Sequence, residues 1–152
     1  MKRISTLIVF MSMACAGFAQ AGDPVSWTFT SRKVADKTYE IHLTASLSSP
    51  WHTYSQTTPD GGPLPTKIEF TRNPLVTADG KTKEIGKLQT KHEPVFGVDV
   101  KQYEGKVDFV QVVKLKTNVK TNVSGNVEYM ACDDNQCLPP KSVPFTVAIG
   151  GK

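Results

Sequence analysis

From Val25 onward the chain changes character at nearly every residue, and this alternation constrains its fold more than any other feature. Val25, Trp27 and Phe29 alternate with Ser26, Thr28 and Thr30, and Tyr39, Ile41, Leu43, Ala45 and Leu47 alternate with Glu40, His42, Thr44 and Ser46. A strand sends such a set to one face, whereas a helix would scatter it around its circumference. Thr66 to Phe70 repeats the pattern, Val107 to Leu115 is a longer β-branched run, Val127-Glu128-Tyr129 alternates again, and Val143, Phe145, Val147 and Ile149 complete the set. No stretch with a 3.6-residue period competes with these. Ser48-Ser49-Pro50, Pro59-Asp60-Gly61-Gly62-Pro63, Ala78-Asp79-Gly80-Lys81 and Ser124-Gly125-Asn126 read as the intervening turns. The expectation is an all-β antiparallel sandwich of about seven to nine short strands in two packed sheets. Asn118, Asn122 and Asn126 read as a polar loop leading into a strand.

The beginning of the chain has a different grammar. Lys2 and Arg3 precede the apolar run Leu7 to Met11, and small residues follow through Ala14, Ala16, Gly17, Ala19 and Ala21. This is the order of a secretory leader, and the run is shorter than the ~20 residues that cross a bilayer. Residues 1–19 are therefore expected to be removed, with cleavage after Ala21 as the alternative, leaving 20–152 as a single exported domain. Cys15 lacks the leucine three positions upstream that a lipoprotein signal usually carries, which argues against lipidation. The chain's 18 basic and 14 acidic residues give a net charge of +4, and loss of Lys2 and Arg3 lowers it to 16 − 14 = +2. So slight a balance argues against a nucleic-acid partner.

Export leaves Cys132 and Cys137, an even pair in an oxidising compartment. If Val127, Tyr129 and Ala131 face the core, alternation turns Cys132 to the opposite face, at a strand end where a partner can reach it. A structural staple is one reading. In the chain-entropy model, however, so short a loop contributes only about 2 kcal/mol, against ~4.7 for a hundred-residue loop. A local pair is better suited to opening and closing, because the second thiol stays beside the first to resolve a mixed disulfide. Asp133 and Asp134 follow Cys132, and their charge disfavours a thiolate, which argues against a strong oxidant. Zinc takes roughly three or four protein ligands, and His42, His52 and His92 lie in unrelated segments, so neither a metal nor another cofactor is expected.

Two further segments attract attention. In Lys91-His92-Glu93-Pro94-Val95-Phe96-Gly97, Pro94 and Gly97 interrupt any regular strand, so a loop presents the Phe96 ring. That ring either tucks into the core or forms a lid that keeps water and stray oxidants from the dithiol until a partner displaces it. In Pro50-Trp51-His52-Thr53-Tyr54-Ser55 the two aromatics read as core or core-edge residues, and Tyr54 could also offer a hydroxyl to the dithiol. Cysteine–histidine hydrolysis is a weak reading because no oxyanion-hole motif accompanies it.

Trp51-His52-Thr53-Tyr54, the loop His92 to Gly97, Tyr103, and Tyr129 to Cys132 with Cys137-Leu138-Pro139-Pro140 together resemble the family of N-terminal periplasmic domains of the thiol:disulfide interchange protein DsbD. The resemblance implies an immunoglobulin-like sandwich, a redox pair at Cys132 and Cys137, a cap loop whose shielding phenylalanine is Phe96, and a site tyrosine at Tyr54. It implies a reductive relay in which Cys137 bonds the partner and Cys132 resolves. The implied partners are a membrane-linked thiol donor or thioredoxin-like protein in trans, and exported disulfide-containing clients. The positions before Phe96 are Pro94-Val95 rather than the family's acidic residues. The competing reading is a binding module with a fixed disulfide, in which Phe96 and the Pro59–Pro65 loop contact a protein or ligand.

Overall fold

The structure, a computed structural model, describes residues 22–93 and 96–151. The expected leader with Cys15, together with Pro94 and Val95, lies outside the described residues. Those described form eleven strands and no helix: β1 (Val25–Ala35), β2 (Thr38–Leu47), β3 (His52–Tyr54), β4 (Lys67–Phe70), β5 (Val76–Gly86), β6 (Gln89–Glu93), β7 (Val98–Glu104), β8 (Lys106–Leu115), β9 (Thr121–Tyr129), β10 (Ala131–Cys132) and β11 (Lys141–Ile149). They assemble into a four-stranded sheet β1-β2-β8-β5, a three-stranded sheet β11-β9-β4 and a small sheet β10-β3-β7-β6, all antiparallel.

The first two sheets enclose the main core. Leu43 stands opposite Phe109 and Ala45 opposite Val107, so the alternating residues of β2 and β8 meet on one face. Val123 and Val127 from β9 and Phe145, Val147 and Ile149 from β11 close over them. Each such side chain contributes about 1.5–3 kcal/mol through burial, which makes this interior the main source of stability. Trp27 ties the layers together, with its ring centroid 5.3 Å from that of Tyr129 and 6.0 Å from that of Phe109.

Every strand of the small sheet continues a sandwich strand. β2 passes into β3 through a corner containing the cis Ser49–Pro50 peptide, β7 runs into β8 through Gly105 at φ 72°, and β5 leads to β6. The order β3-β7-β6 consequently repeats β2-β8-β5. β10 differs, because it continues β9 from the other layer yet pairs with β3. Cys132 thus sits where the chain crosses between layers.

Several expected turns are strands instead. Ala78 to Lys81 lies within β5, where a register irregularity between Asp79 and Lys83 accommodates Gly80 at φ 74°. β5 is an edge strand held by its ladder to β8 and largely exposed, so its sequence carries little apolar alternation. Ser124-Gly125-Asn126 lies within β9, and a Cβ on Gly125 would fall 2.1 Å from the Glu69 carbonyl oxygen and 2.7 Å from the Phe145 ring. The glycine serves close packing, not a turn. Asn122 and Asn126 are outward-facing positions of this strand rather than part of a loop. The segments on either side of the Phe96 loop, among which the sequence reading named no strand, form the β6–β7 hairpin. The continuations raise the strand number above the expected range and add a third sheet.

Candidate functional site

The two faces of the small sheet differ in what they bury. Thr53 pairs with Ala131 on one side and Tyr103 on the other, and Ala131 and Tyr103 belong to the main core. One residue along, His52 pairs with Cys132 and with Glu104, and Tyr54 pairs with Gln102. Period-two alternation sends this second set to the outer face, where Tyr54, Val100 and Cys132 form a separate cluster. The reasoning that turned Cys132 away from the core of Val127, Tyr129 and Ala131 therefore holds.

The expected access to Cys132 does not. Cys132 is 2 % exposed, whereas Cys137 is exposed. Alternation gives a side chain's direction but not what packs over it. Here the chain turns back at once and lays its own second cysteine over the first. Asp133 N–H donates to the Gln136 carbonyl at 2.9 Å and Leu138 N–H to the Ala131 carbonyl at 2.8 Å, placing Cys132 directly opposite Cys137 with their Cα atoms 4.0 Å apart. The two sulfurs are joined in a disulfide.

Asp133 shapes this turn. Its Oδ1 accepts the Asn135 and Gln136 N–H groups, each at 2.8 Å, and these bonds, led by that from Asn135, hold its pKa below the usual carboxylate value. Asp134 is exposed beside it.

Cys132, Cys137, Phe96, Tyr54, Asp133 and Asp134 all line one cavity of about 220 Å³, together with Glu93, Asn135 and Gln136. Phe96 is 43 % exposed at the tip of the β6–β7 hairpin, where its N–H and that of Gly97 donate to the Glu93 carbonyl at 3.2 and 2.8 Å. Gly97 adopts φ 66°, a left-handed conformation that glycine takes without steric cost. The Pro59–Pro65 loop supports this tip from below: a Cβ on Gly62 would lie 2.9 Å from the Val98 side chain and 4.0 Å from the Phe96 Cβ.

Tyr54 is 1 % exposed, and burial, reinforced by Glu93, pushes its hydroxyl pKa well above the ordinary tyrosine value. That hydroxyl lies 3.1 Å from His52 Nε2. His52 is buried, and desolvation, followed by the charge of Lys91, lowers its pKa and favours the neutral imidazole. The strand carrying them is anchored from behind: Glu84 accepts bonds from Ser55 Oγ at 2.7 Å, Gln56 N–H at 2.7 Å and the Tyr103 hydroxyl at 2.6 Å.

Sequence reasoning did not find His52 or Glu93 as site residues. His52 becomes a neighbour of Cys132 only through strand pairing, which no local pattern announces. Glu93 was visible next to the Pro94-Val95 departure, and it places an acidic group on the cavity even though those two positions are not acidic. Among the described residues no cluster of three or more His, Cys, Asp and Glu side chains could hold a metal ion, and no helix is long and apolar enough to cross a membrane.

The fold has counterparts among known proteins. The structure is similar to the reduced N-terminal domain of DsbD from Neisseria meningitidis, with a TM-score of 0.52 and 15 % identity over 82 % of this chain and 86 % of that one. It is also similar to the N-terminal periplasmic domain of ScsB from Proteus mirabilis, with a TM-score of 0.50 and 18 % identity over 83 % of this chain. The match spans 45 % of the ScsB chain, less than half its length. These likenesses establish the immunoglobulin-like sandwich expected from the sequence resemblance. No curated protein sequence matches the chain. The sequence model for the N-terminal region of the thiol:disulfide interchange protein DsbD matches residues 21–148, so this chain, an all-β sandwich with a cysteine pair at its edge, belongs to the DsbD N-terminal domain family, which takes its name from thiol–disulfide interchange.

Proposed function

We propose that this chain is an exported, periplasmic relay that carries reducing equivalents through Cys132 and Cys137 from a membrane-linked or thioredoxin-like thiol donor to disulfide-containing client proteins, after removal of residues 1–19. The observation that carries this reading is the asymmetry of the pair, one cysteine buried and the other exposed on the same cavity. Exchange needs one thiol that meets the partner and one that waits beside it.

In the reduced domain the Cys137 thiolate attacks an acceptor disulfide. One acceptor sulfur leaves as a thiolate, and the other remains bonded to Cys137. Cys132 then attacks the Cys137 sulfur, the intermolecular bond breaks with its electron pair on the departing acceptor sulfur, and the pair closes as the disulfide seen in the structure. Two electrons and two protons have passed to the client. A donor dithiol restores the pair by the same steps in reverse.

Phe96 is the shield in this account. Its ring borders the cavity from a hairpin tip, so a docking partner can displace it without disturbing either sheet of the sandwich. Tyr54 forms the buried wall, and Asp133 and Asp134 set the turn and its charge.

Replacing Cys132 by Ser tests the relay. The variant is expected to trap client proteins as mixed disulfides on Cys137, and recovery of none from cell extracts would refute it. Titration against a thiol buffer supplies a second criterion. A potential above about −300 mV fits exchange, and a lower one fits the binding module with a fixed disulfide.

A further inference from the structure

His52 stands directly opposite Cys132 in the β3–β10 ladder. Side chains opposed in an antiparallel pair project to the same face with Cβ atoms about 4.5–5.5 Å apart. The imidazole is 6 % exposed, lies edge-on to Tyr54 with ring centroids 5.5 Å apart, and has Nε2 3.1 Å from the Tyr54 hydroxyl. A titratable ring is thus held in place beside the buried sulfur. It is of no evident use to the core, which lies on the sheet's other face.

The relay proposed above, on which this inference rests, asks for such a group. Cys132 must lose its proton before it can attack, yet its position, 2 % exposed in the disulfide form, is one where a thiol is both costly to ionise and poorly reached by bulk water. We propose that His52 is the base that takes the proton from the Cys132 thiol in the resolving step, with the Tyr54 hydroxyl positioning its ring. The S–H proton passes to the imidazole while the sulfur electron pair attacks Cys137 Sγ. The bond between Cys137 and the acceptor sulfur breaks, its electron pair leaves with the acceptor as a thiolate, and that thiolate collects a proton from the imidazolium or from solvent.

The surroundings suit a base that is neutral at rest and charged in passing. Glu104 faces His52 from β7, Glu93 and Lys91 approach from β6, and Asp133 and Asp134 lie in the cysteine turn. Burial, with Lys91, favours the unprotonated ring, so it is ready to accept a proton at neutral pH. The four carboxylates stabilise the imidazolium while it lasts.

The test separates the two chemical steps. Mixing the reduced chain with 5,5′-dithiobis(2-nitrobenzoate) releases one chromophore when Cys137 attacks and a second when Cys132 resolves. His52→Gln places an amide near the Nε2 position, where it can still bond Tyr54 but cannot take a proton. It is expected to leave the first release within about twofold of wild type and to slow the second by about tenfold or more at pH 7. The wild-type second release should be level near neutrality and fall in acid as His52 protonates, whereas that of His52→Gln should keep rising with hydroxide through neutrality. Tyr54→Phe, which keeps the ring and loses the hydroxyl, should slow the second release less and retain the wild-type profile. Equal second releases and equal profiles in wild type and His52→Gln would overturn the assignment. So would slowing of both releases by the same factor in both variants, which would make His52 merely structural. If wild type gives no first release, the relay itself fails; if wild type completes both steps and His52→Gln matches it, only this inference fails.

Discussion

The sandwich interior and the outer face of the small sheet are made from the same strands but assembled from opposite materials. Between the large sheets, Leu43, Phe109, Val127 and Phe145 meet apolar partners on every side. Across the small sheet, one residue further along the same β-alternation, Cys132 meets a histidine, a tyrosine and a disulfide. The first arrangement closes on itself. Among the described residues the second is bordered by short turns, at Phe96 and at residues 133–137, with Val98 and Met130 packed beside it. The difference teaches that stability and reactivity can be assigned to separate faces, so that bond making at one costs little at the other.

That separation predicts a ranking of stability losses. Phe109→Ala should cost most, about 3–5 kcal/mol, because it empties a fully buried site against Trp27. The midpoint of denaturant unfolding measures it. Cys132→Ala with Cys137→Ala should cost about 2 kcal/mol, the loop-closure entropy of a short ring, and leave a cooperative unfolding transition. If removing the disulfide costs more than removing Phe109, the small face is part of the stabilising core and the division fails.

The next test uses protons. The pKa of His52 is depressed in the folded chain from an ordinary 6.5. As pH falls through 6.5 the unfolded chain takes up a proton that the folded one still refuses, so in the window below 6.5 and above the folded value the unfolded state binds more protons and stability falls. Above that window both forms are neutral and His52 contributes nothing to the slope. Asp133 and Glu104, whose values are lowered from 3.8 and 4.5, lose their contributions only at more acid pH. His52→Gln should therefore flatten the stability curve just below pH 6.5 while preserving the steeper loss further down. An unchanged curve would show that burial of this imidazole has no energetic consequence.

How much of this was legible in the sequence depended on how each element is held. β2 and β11 announce themselves because burial on one face imposes alternation along their length, and β8 does so as a β-branched run buried for most of its length. β5 and β6 do not, since an edge strand with both faces wet is held by its ladder and carries no apolar period. Gly125 misleads for a related reason, because a glycine required by a neighbour's carbonyl looks like one required by a turn. At the site, the cysteine pair, Phe96 and Tyr54 were legible as chemical types, and the cavity that gathers them follows from the fold. The burial of Cys132 and the position of His52 were not legible. The first follows from the turn that lays Cys137 over Cys132, and the second from pairing between β3 and β10, segments far apart in sequence whose register no local rule fixes.

The smallest expected stability effect belongs to the residue with the most direct expected effect on reactivity. Phe96 is 43 % exposed, lies on the hairpin tip and packs against neither large sheet, so Phe96→Ala should change unfolding stability by no more than about 0.5 kcal/mol. The same change removes the ring from the mouth of the cavity that holds both sulfurs. Oxidation of the reduced pair by small disulfides should then be faster, because access to the sulfurs no longer waits for the hairpin to move. A bulky reagent should gain more than a small one. Measured together, the two readouts sharpen the contrast between the faces: a faster reaction at unchanged stability identifies Phe96 as a shield, whereas a stability loss comparable to that of Phe109→Ala would make it an outlying part of the core. An unchanged oxidation rate would mean that Cys137 is already open to reagents and that the ring shields nothing.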